Sequence, residues 1–217
     1  MNTSRRKFML GAGALGMVRV GSAAELFKGL GKPELKFGAI SDTHITAESS
    51  TEYLRKTFMY FRDQKVDAVL VAGDITDHGI LPQFENFAKT WDEVFPNGKR
   101  PDGEPVVPFF VNGNHDEHGI NYNDKFMNKA LAEHKLTRKE AVALCANKVG
   151  MANIWEKCFR EKFSPVFSKK VKGYTFVGAH WTKGGPDWKK LNQWFDENGA
   201  SLPKDKPFFY VRGGRRV

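Results

Sequence analysis

The sequence predicts an α/β protein built on a parallel sheet, and three observations carry that expectation. Short apolar, β-branched runs alternate with segments of helical period; each of the first three runs ends in a polar turn; and those turns hold Asp, His and Asn. Alternation of strand, helix and strand is the pattern of parallel strands joined by crossover helices. With 217 residues, 41% of them hydrophobic and 27% charged, the chain has room for one domain with a sizeable core, although a larger α/β enzyme would be cut short.

The elements follow in order. Leu35 to Ser41 reads as a short buried strand running into Asp42-Thr43-His44. Glu52 to Gln64 sets Tyr53, Phe58 and Phe61 among charges, a helical pattern. Asp67 to Ala72 is a second strand, stopped by Gly73-Asp74. Pro82 suits the first turn of the next helix, which spaces Phe84, Phe87, Ala88, Trp91 and Val94 helically. Asn97 to Pro105 is a Gly- and Pro-containing loop, and Val106 to Val111 is a third strand ending at Asn112-Gly113-Asn114-His115-Asp116. Asp124 to Lys162 reads as mostly helical, with Thr137-Arg138-Lys139-Glu140 matching a capping box. Pro165 to Ser168 and Gly173 to Ala179 are expected to be strands joined by a basic turn, Lys169-Lys170-Val171-Lys172. Asp187 to Asn198 is a helix with Trp188, Leu191, Trp194 and Phe195 on its buried side, and Phe208 to Val211 is a final strand.

The net charge of +9 does not imply a nucleic-acid groove. Arg5, Arg6, Lys7 and Arg19 lie in an acid-free start, and Arg212, Arg215 and Arg216 in an acid-free end. Setting these seven of the 34 basic residues aside leaves 27 against 25 acidic ones, a nearly neutral body. No apolar stretch reaches the roughly 18 residues of a membrane span.

Ser4-Arg5-Arg6-Lys7-Phe8-Met9, the apolar run from Leu10 to Val18 and the small residues Gly21, Ala23 and Ala24 resemble a twin-arginine export signal. That resemblance implies a signal peptide over residues 1–24, the twin-arginine export machinery as a partner, and a periplasmic or extracellular destination. Arg19 interrupts the apolar run, and a basic N-terminal arm is the alternative. Cys145 and Cys158 form no C-x-x-C pair, so a zinc knuckle is not expected. They are read as two buried thiols, with a bridge left open by spacing alone.

Ligands in open α/β sheets collect beyond the carboxyl ends of the strands, which is where the three polar clusters fall. Asp42 and His44, two apart in a turn, can reach one ion together. Asp74 on the neighbouring strand end can bridge two ions through its two carboxylate oxygens, and Asn114 offers a neutral amide oxygen to the second. Such ligands suit Zn, Mn, Fe and related divalent ions. Each residue alone also fits a turn-forming role, but order, strand context and spacing agree across all three clusters.

Asp42-Thr43-His44, Gly73-Asp74-Ile75-Thr76-Asp77-His78-Gly79 and Gly113-Asn114-His115-Asp116 resemble the motifs of the calcineurin-like metallophosphoesterase family. The resemblance runs over residues 35–211 and implies a metallophosphoesterase-type layered α/β sandwich that hydrolyses phosphate mono- or diesters with a metal-activated water. It implies two divalent metal ions, the first on Asp42, His44 and Asp74, the second on Asp74 and Asn114. His115 is then the general acid or transition-state stabiliser towards the leaving oxygen, with Asp77 orienting it. Where some members carry a phosphate-binding Arg, this chain has His78, the expected substrate contact. Asn112 and Asp116 are expected to support the ligands; His118 and His134 receive no role.

The family completes its site with a His after a later strand and a Gly-His-x-His motif beyond it. Here Phe208-Phe209-Tyr210-Val211 matches the strand, and the basic tail, residues 212–217, holds no histidine. The domain is therefore expected to be C-terminally truncated or frame-shifted, with an incomplete second metal site and weak turnover. His180 is a candidate for a missing ligand, although it precedes the Trp-rich helix where the family's later histidines follow it. The alternative function is a non-catalytic metal- or phosphate-binding protein on the same scaffold.

Overall fold

Strands form where the apolar runs fall. The computed structural model describes residues 34–121, 125–182 and 184–213; the expected export signal and residues 214–217 of the tail lie outside them. Strands β1 (Phe37–Ile40), β2 (Ala68–Ala72) and β3 (Val107–Val111) make one sheet in the order β1-β2-β3. Both pairings are parallel, with Ala39 beside Leu70 and Leu70 beside Phe109. Parallel neighbours need crossover connections, and α1 (Thr51–Asp63) and α2 (Leu81–Val94) supply them. Pro82 sits in the first turn of α2, where its missing N–H costs no helical bond.

A second sheet takes the order β4-β5-β8. Its β4 (Val166–Val171) and β5 (Tyr174–Ala179) are antiparallel, and β8 (Phe208–Arg212) returns parallel to β5 after α8 (Trp188–Asn198). A short ribbon, β6 (Trp181–Thr182) with β7 (Gly185–Pro186), lies between β5 and α8 in sequence.

Alternation along the strands sorts the core into layers. Val69, Val71 and Phe110 face α1, α2 and α7 (Met151–Phe159), meeting Leu54, Phe58, Phe87, Trp91 and Ile154. Ala68, Leu70, Phe109 and Val111 face the second sheet, against Val171 and Phe176. From the far side of that sheet, Val177 and Ala179 pack on Leu191 of α8. The result is helix, sheet, sheet, helix: the metallophosphoesterase-type layered α/β sandwich. Phe58 meets Phe87 at 5.8 Å and Trp91 at 5.4 Å, and Phe87 meets Phe110 at 5.2 Å, all edge to face. Each such pair adds about 0.5–1.5 kcal/mol beyond its burial.

Three expectations change in detail. The 124–162 stretch divides into α4 (Lys125–Glu133), α5 (Arg138–Ala143), α6 (Ala146–Val149) and α7. Positive φ at Lys135 and Gly150 marks two of the breaks. The capping box holds: Thr137 N donates to Glu140 Oε2 at 2.7 Å, and Glu140 N to Thr137 Oγ1 at 3.3 Å. Strand β4 runs through Lys169 and Lys170 to Val171, and the turn is Lys172-Gly173 alone, with φ of 49° and 81°. Positive φ at both central residues matches the two-residue hairpin turn. Finally, Trp188 is 53% exposed rather than buried, near the Arg212 guanidinium at 5.8 Å.

Both cysteines are free and buried, and burial pushes the Cys158 thiol up to about 12. Among the described residues, no helix is long and apolar enough to cross a membrane.

Candidate metal centre

The carboxyl ends of β1, β2 and β3 are joined to one another before any side chain is considered. Asp42 N donates to Gly73 O at 3.1 Å, Gly73 N to Val111 O at 2.9 Å, and His44 N to Asp74 O at 3.0 Å. Asp42, His44 and Asp74 all adopt positive φ, at 54°, 42° and 46°. Each costs on the order of 1 kcal/mol for a non-glycine residue, and such strain gathers where side-chain direction matters. Gly113 lets the third loop close in: a Cβ there would lie 2.1 Å from Asp74 Oδ1.

The side chains converge on a cleft of about 670 Å³ lined by Asp42, His44, Asp74, Asn114 and His115. Within it, one ligand atom each of His44, Asp74 and His115 falls within 4.8 Å of the others. The two imidazole rings meet edge to face at 4.5 Å, and His44 Nε2 is 3.9 Å from Asp74 Oδ2. All four ligands expected from sequence therefore share one cleft. His115, read from sequence as a proton donor, also stands among the metal-capable atoms.

Hydrogen bonds fix the two rings. His44 Nδ1 lies 2.8 Å from Asp77 Oδ1 and donates to it, which leaves the ring's lone pair on Nε2, towards Asp74. His115 Nδ1 lies 2.8 Å from the Asp77 carbonyl oxygen, again leaving the lone pair to Nε2. Its backbone N donates to Asp74 Oδ1 at 2.9 Å. The hydrogen bond to Asp77 raises the His44 pKa against the opposing effect of burial, with Asp74 and Asp42 adding to the rise. For Asp77, burial works upward, but the His44 hydrogen bond and the neighbouring His78 and His115 hold it below the usual carboxylate range.

Two sequence assignments are relocated. Asp77, expected to orient His115, turns its carboxylate to His44 at 2.8 Å, with that carboxylate 3.5 Å from His115 Nδ1. His115 is met by the Asp77 main chain instead. His78, expected at the substrate, is fully buried behind Asp77: its backbone N donates to Gln83 Oε1 at 2.9 Å, and Gln83 Nε2 lies 3.1 Å from its Nδ1. Gln83, at the start of α2, also donates to Thr46 O at 3.0 Å and so ties the first loop to the second. Sequence reading missed it, since a lone Gln in a helical run carries no spacing signal.

His180 is a supporting group rather than a ligand. It is buried, between the rings of Phe163 at 4.5 Å and Phe167 at 4.9 Å, with Trp155 edge-on at 4.6 Å. Asn112 N donates to its Nδ1 at 3.1 Å, and Asn112 Oδ1 lies 3.0 Å from the same nitrogen. Burial, with Lys169 nearby, pushes its pKa down to about 3.

Imidazole nitrogen and carboxylate oxygen in one cleft, with each histidine's far nitrogen already bonded, form a donor set that fits a divalent cation. The fold and these strand-end loops give an α/β protein of phosphoesterase architecture with a candidate divalent-metal site. The chain belongs to the calcineurin-like phosphoesterase family, whose model matches residues 35–215. No curated protein matches the chain.

Among solved structures, it is similar to a dimetal phosphatase from Danio rerio, at 15% identity and a TM-score of 0.38, over 75% of this chain and 52% of that one. A purple acid phosphatase from yellow lupin (Lupinus luteus) seeds is similar at 16% identity and 0.37, over 75% of this chain and 27% of that one. A protein of unknown function from Aquifex aeolicus is similar at 13% identity and 0.33, over 83% of this chain and 90% of that one. The chain thus spans about half the length of the first of these and about a quarter of the second.

Proposed function

We propose that the chain hydrolyses phosphate mono- or diesters, using two divalent metal ions at the strand ends of the first sheet. The observation that carries this reading is the convergence of His44, Asp74 and His115 within 4.8 Å, in a cleft that Asp42 and Asn114 also line. Asp42, His44 and Asp74 would hold the first ion, and Asp74 and Asn114 the second. Bound divalent ions of the Mn, Zn or Fe kind supply Lewis acidity towards phosphoryl oxygen and lower the pKa of water. The chain itself supplies position. The Asp77 carboxylate fixes the His44 tautomer, and the Asp77 carbonyl holds the His115 ring. Carrying a second proton on Nε2, His115 would donate it to the leaving oxygen. Export through the twin-arginine-like start belongs to the same proposal, and processing close to Ala24 would support it.

The test is hydrolysis of p-nitrophenyl phosphate and bis(p-nitrophenyl) phosphate with added Mn²⁺ or Zn²⁺. Turnover is expected, and is expected to vanish in Asp74→Asn. Bound metal without turnover of either ester would make the chain a non-catalytic binder. Turnover that survives Asp74→Asn would remove the site from this reading.

A further inference from the structure

Asp116 is fully buried on α3 (Asn114–His118), and its two carboxylate oxygens each accept two hydrogen bonds. Oδ2 takes Ile75 N at 3.0 Å and Gly113 N at 2.7 Å. Oδ1 takes Thr76 N at 2.7 Å and Thr76 Oγ1 at 2.8 Å. Ile75 follows Asp74 in the chain, and Gly113 precedes Asn114. One oxygen atom therefore joins the residue after one proposed ligand to the residue before another. The loops are in backbone contact on both sides of this joint: a Cβ on Gly79 would lie 2.4 Å from the Asp116 carbonyl oxygen, and one on Gly113 would lie 2.4 Å from Asp74 N.

We infer that Asp116 is the positioning residue that sets the spacing between Asp74 and the Asn114-His115 pair. It touches no ion and no substrate; it acts through the two loops it ties. The inference rests on the proposed metal site. A carboxylate suits this place because all four neighbours are donors. An asparagine has the same shape but turns an NH₂ group towards one pair of those donors, whichever way the amide lies. The loops would then separate, and the ligand atoms with them, while the layered core stays as it is.

The experiment compares Mn²⁺ affinity by titration calorimetry in the wild-type full chain, Asp116→Asn and Val94→Ala, well below their melting temperatures. Val94→Ala loosens the core at the end of α2 away from these loops, and so controls for general destabilisation. The expected result is Mn²⁺ binding weakened about ten- to hundred-fold in Asp116→Asn and unchanged in Val94→Ala. Equal affinity in wild type and folded Asp116→Asn would overturn the inference, as would equal weakening in both variants. If Asp116→Asn does not fold, Thr76→Val removes one of the four donors; weaker binding there supports the tie and unchanged binding overturns it. If the wild type binds no Mn²⁺, the metal-site reading fails by itself. The tie is then read from amide hydrogen exchange at Ile75, Thr76 and Gly113, where exchange unaltered by Asp116→Asn overturns it.

Discussion

Lowering the pH from 7 to 5 should cost the wild-type chain about 2 kcal/mol more stability than it costs a His180→Gln variant. The His180 ring is enclosed by Trp155, Phe163 and Phe167, and burial, with Lys169 nearby, moves its pKa from an ordinary 6.5 to about 3. Between those values the unfolded chain binds a proton that the native fold refuses. Stability therefore falls as pH falls, starting near the unfolded value of 6.5 and levelling off below the native value. The slope approaches about 1.4 kcal/mol per pH unit, and integration from pH 7 to 5 gives about 2 kcal/mol. Other titrating groups, including the buried Asp116 carboxyl that burial raises to about 6, contribute to both proteins and cancel in the comparison. Gln keeps a polar side chain near Asn112 without titrating. The assay is urea unfolding at pH 5, 6 and 7, followed by tryptophan fluorescence, to which Trp155 beside the ring contributes. Identical pH dependence in the two proteins would refute the reasoning, since it would mean that the buried imidazole gains its proton without cost.

Two further outcomes follow from packing and capping. Phe87→Ala removes a fully buried ring in edge contact with Phe58, Phe110 and Phe159, and should lower unfolding free energy by about 3–5 kcal/mol in chemical denaturation. Thr137→Ala removes the Oγ1 that accepts from Glu140 N in the capping box of α5, while the backbone N–H of residue 137 keeps its bond to the Glu140 carboxylate, and should cost about 1 kcal/mol by the same measurement; a loss near zero would show that this short helix is held by its neighbours alone.

Most of the first sheet and its loops was legible in the sequence, because β2 and β3 are covered on both faces and so are continuous apolar runs whose polar ends stand out sharply; β1, expected to be buried, is an edge strand in which only Gly38 is buried. Asp42, His44, Asp74 and Asn114 were found that way, and the structure gathers them in one cleft. What spacing could not give was side-chain direction. Asp42, His44 and Asp74 all lie at positive φ, where neither helix nor strand periodicity applies. The sequence neighbours Asp77 and His78 also diverge: one turns to His44, and the other turns back to Gln83. The Lys169-Lys170 pair read as a turn because it is charged, whereas β4 is an edge strand, and lysines on an edge discourage pairing with other chains. Trp188 follows helical spacing but sits in the first turn of α8, exposed beside the Arg212 guanidinium at the end of β8.

The central claim, that these strand ends hold a divalent cation, is tested most directly by locating the metal. Crystals of the chain grown with Mn²⁺ should show anomalous scattering beside Asp42, His44 and Asp74, which line one cleft, and His44→Ala should abolish that peak. Anomalous signal elsewhere with none at these residues, or an unchanged peak in His44→Ala, would contradict the account.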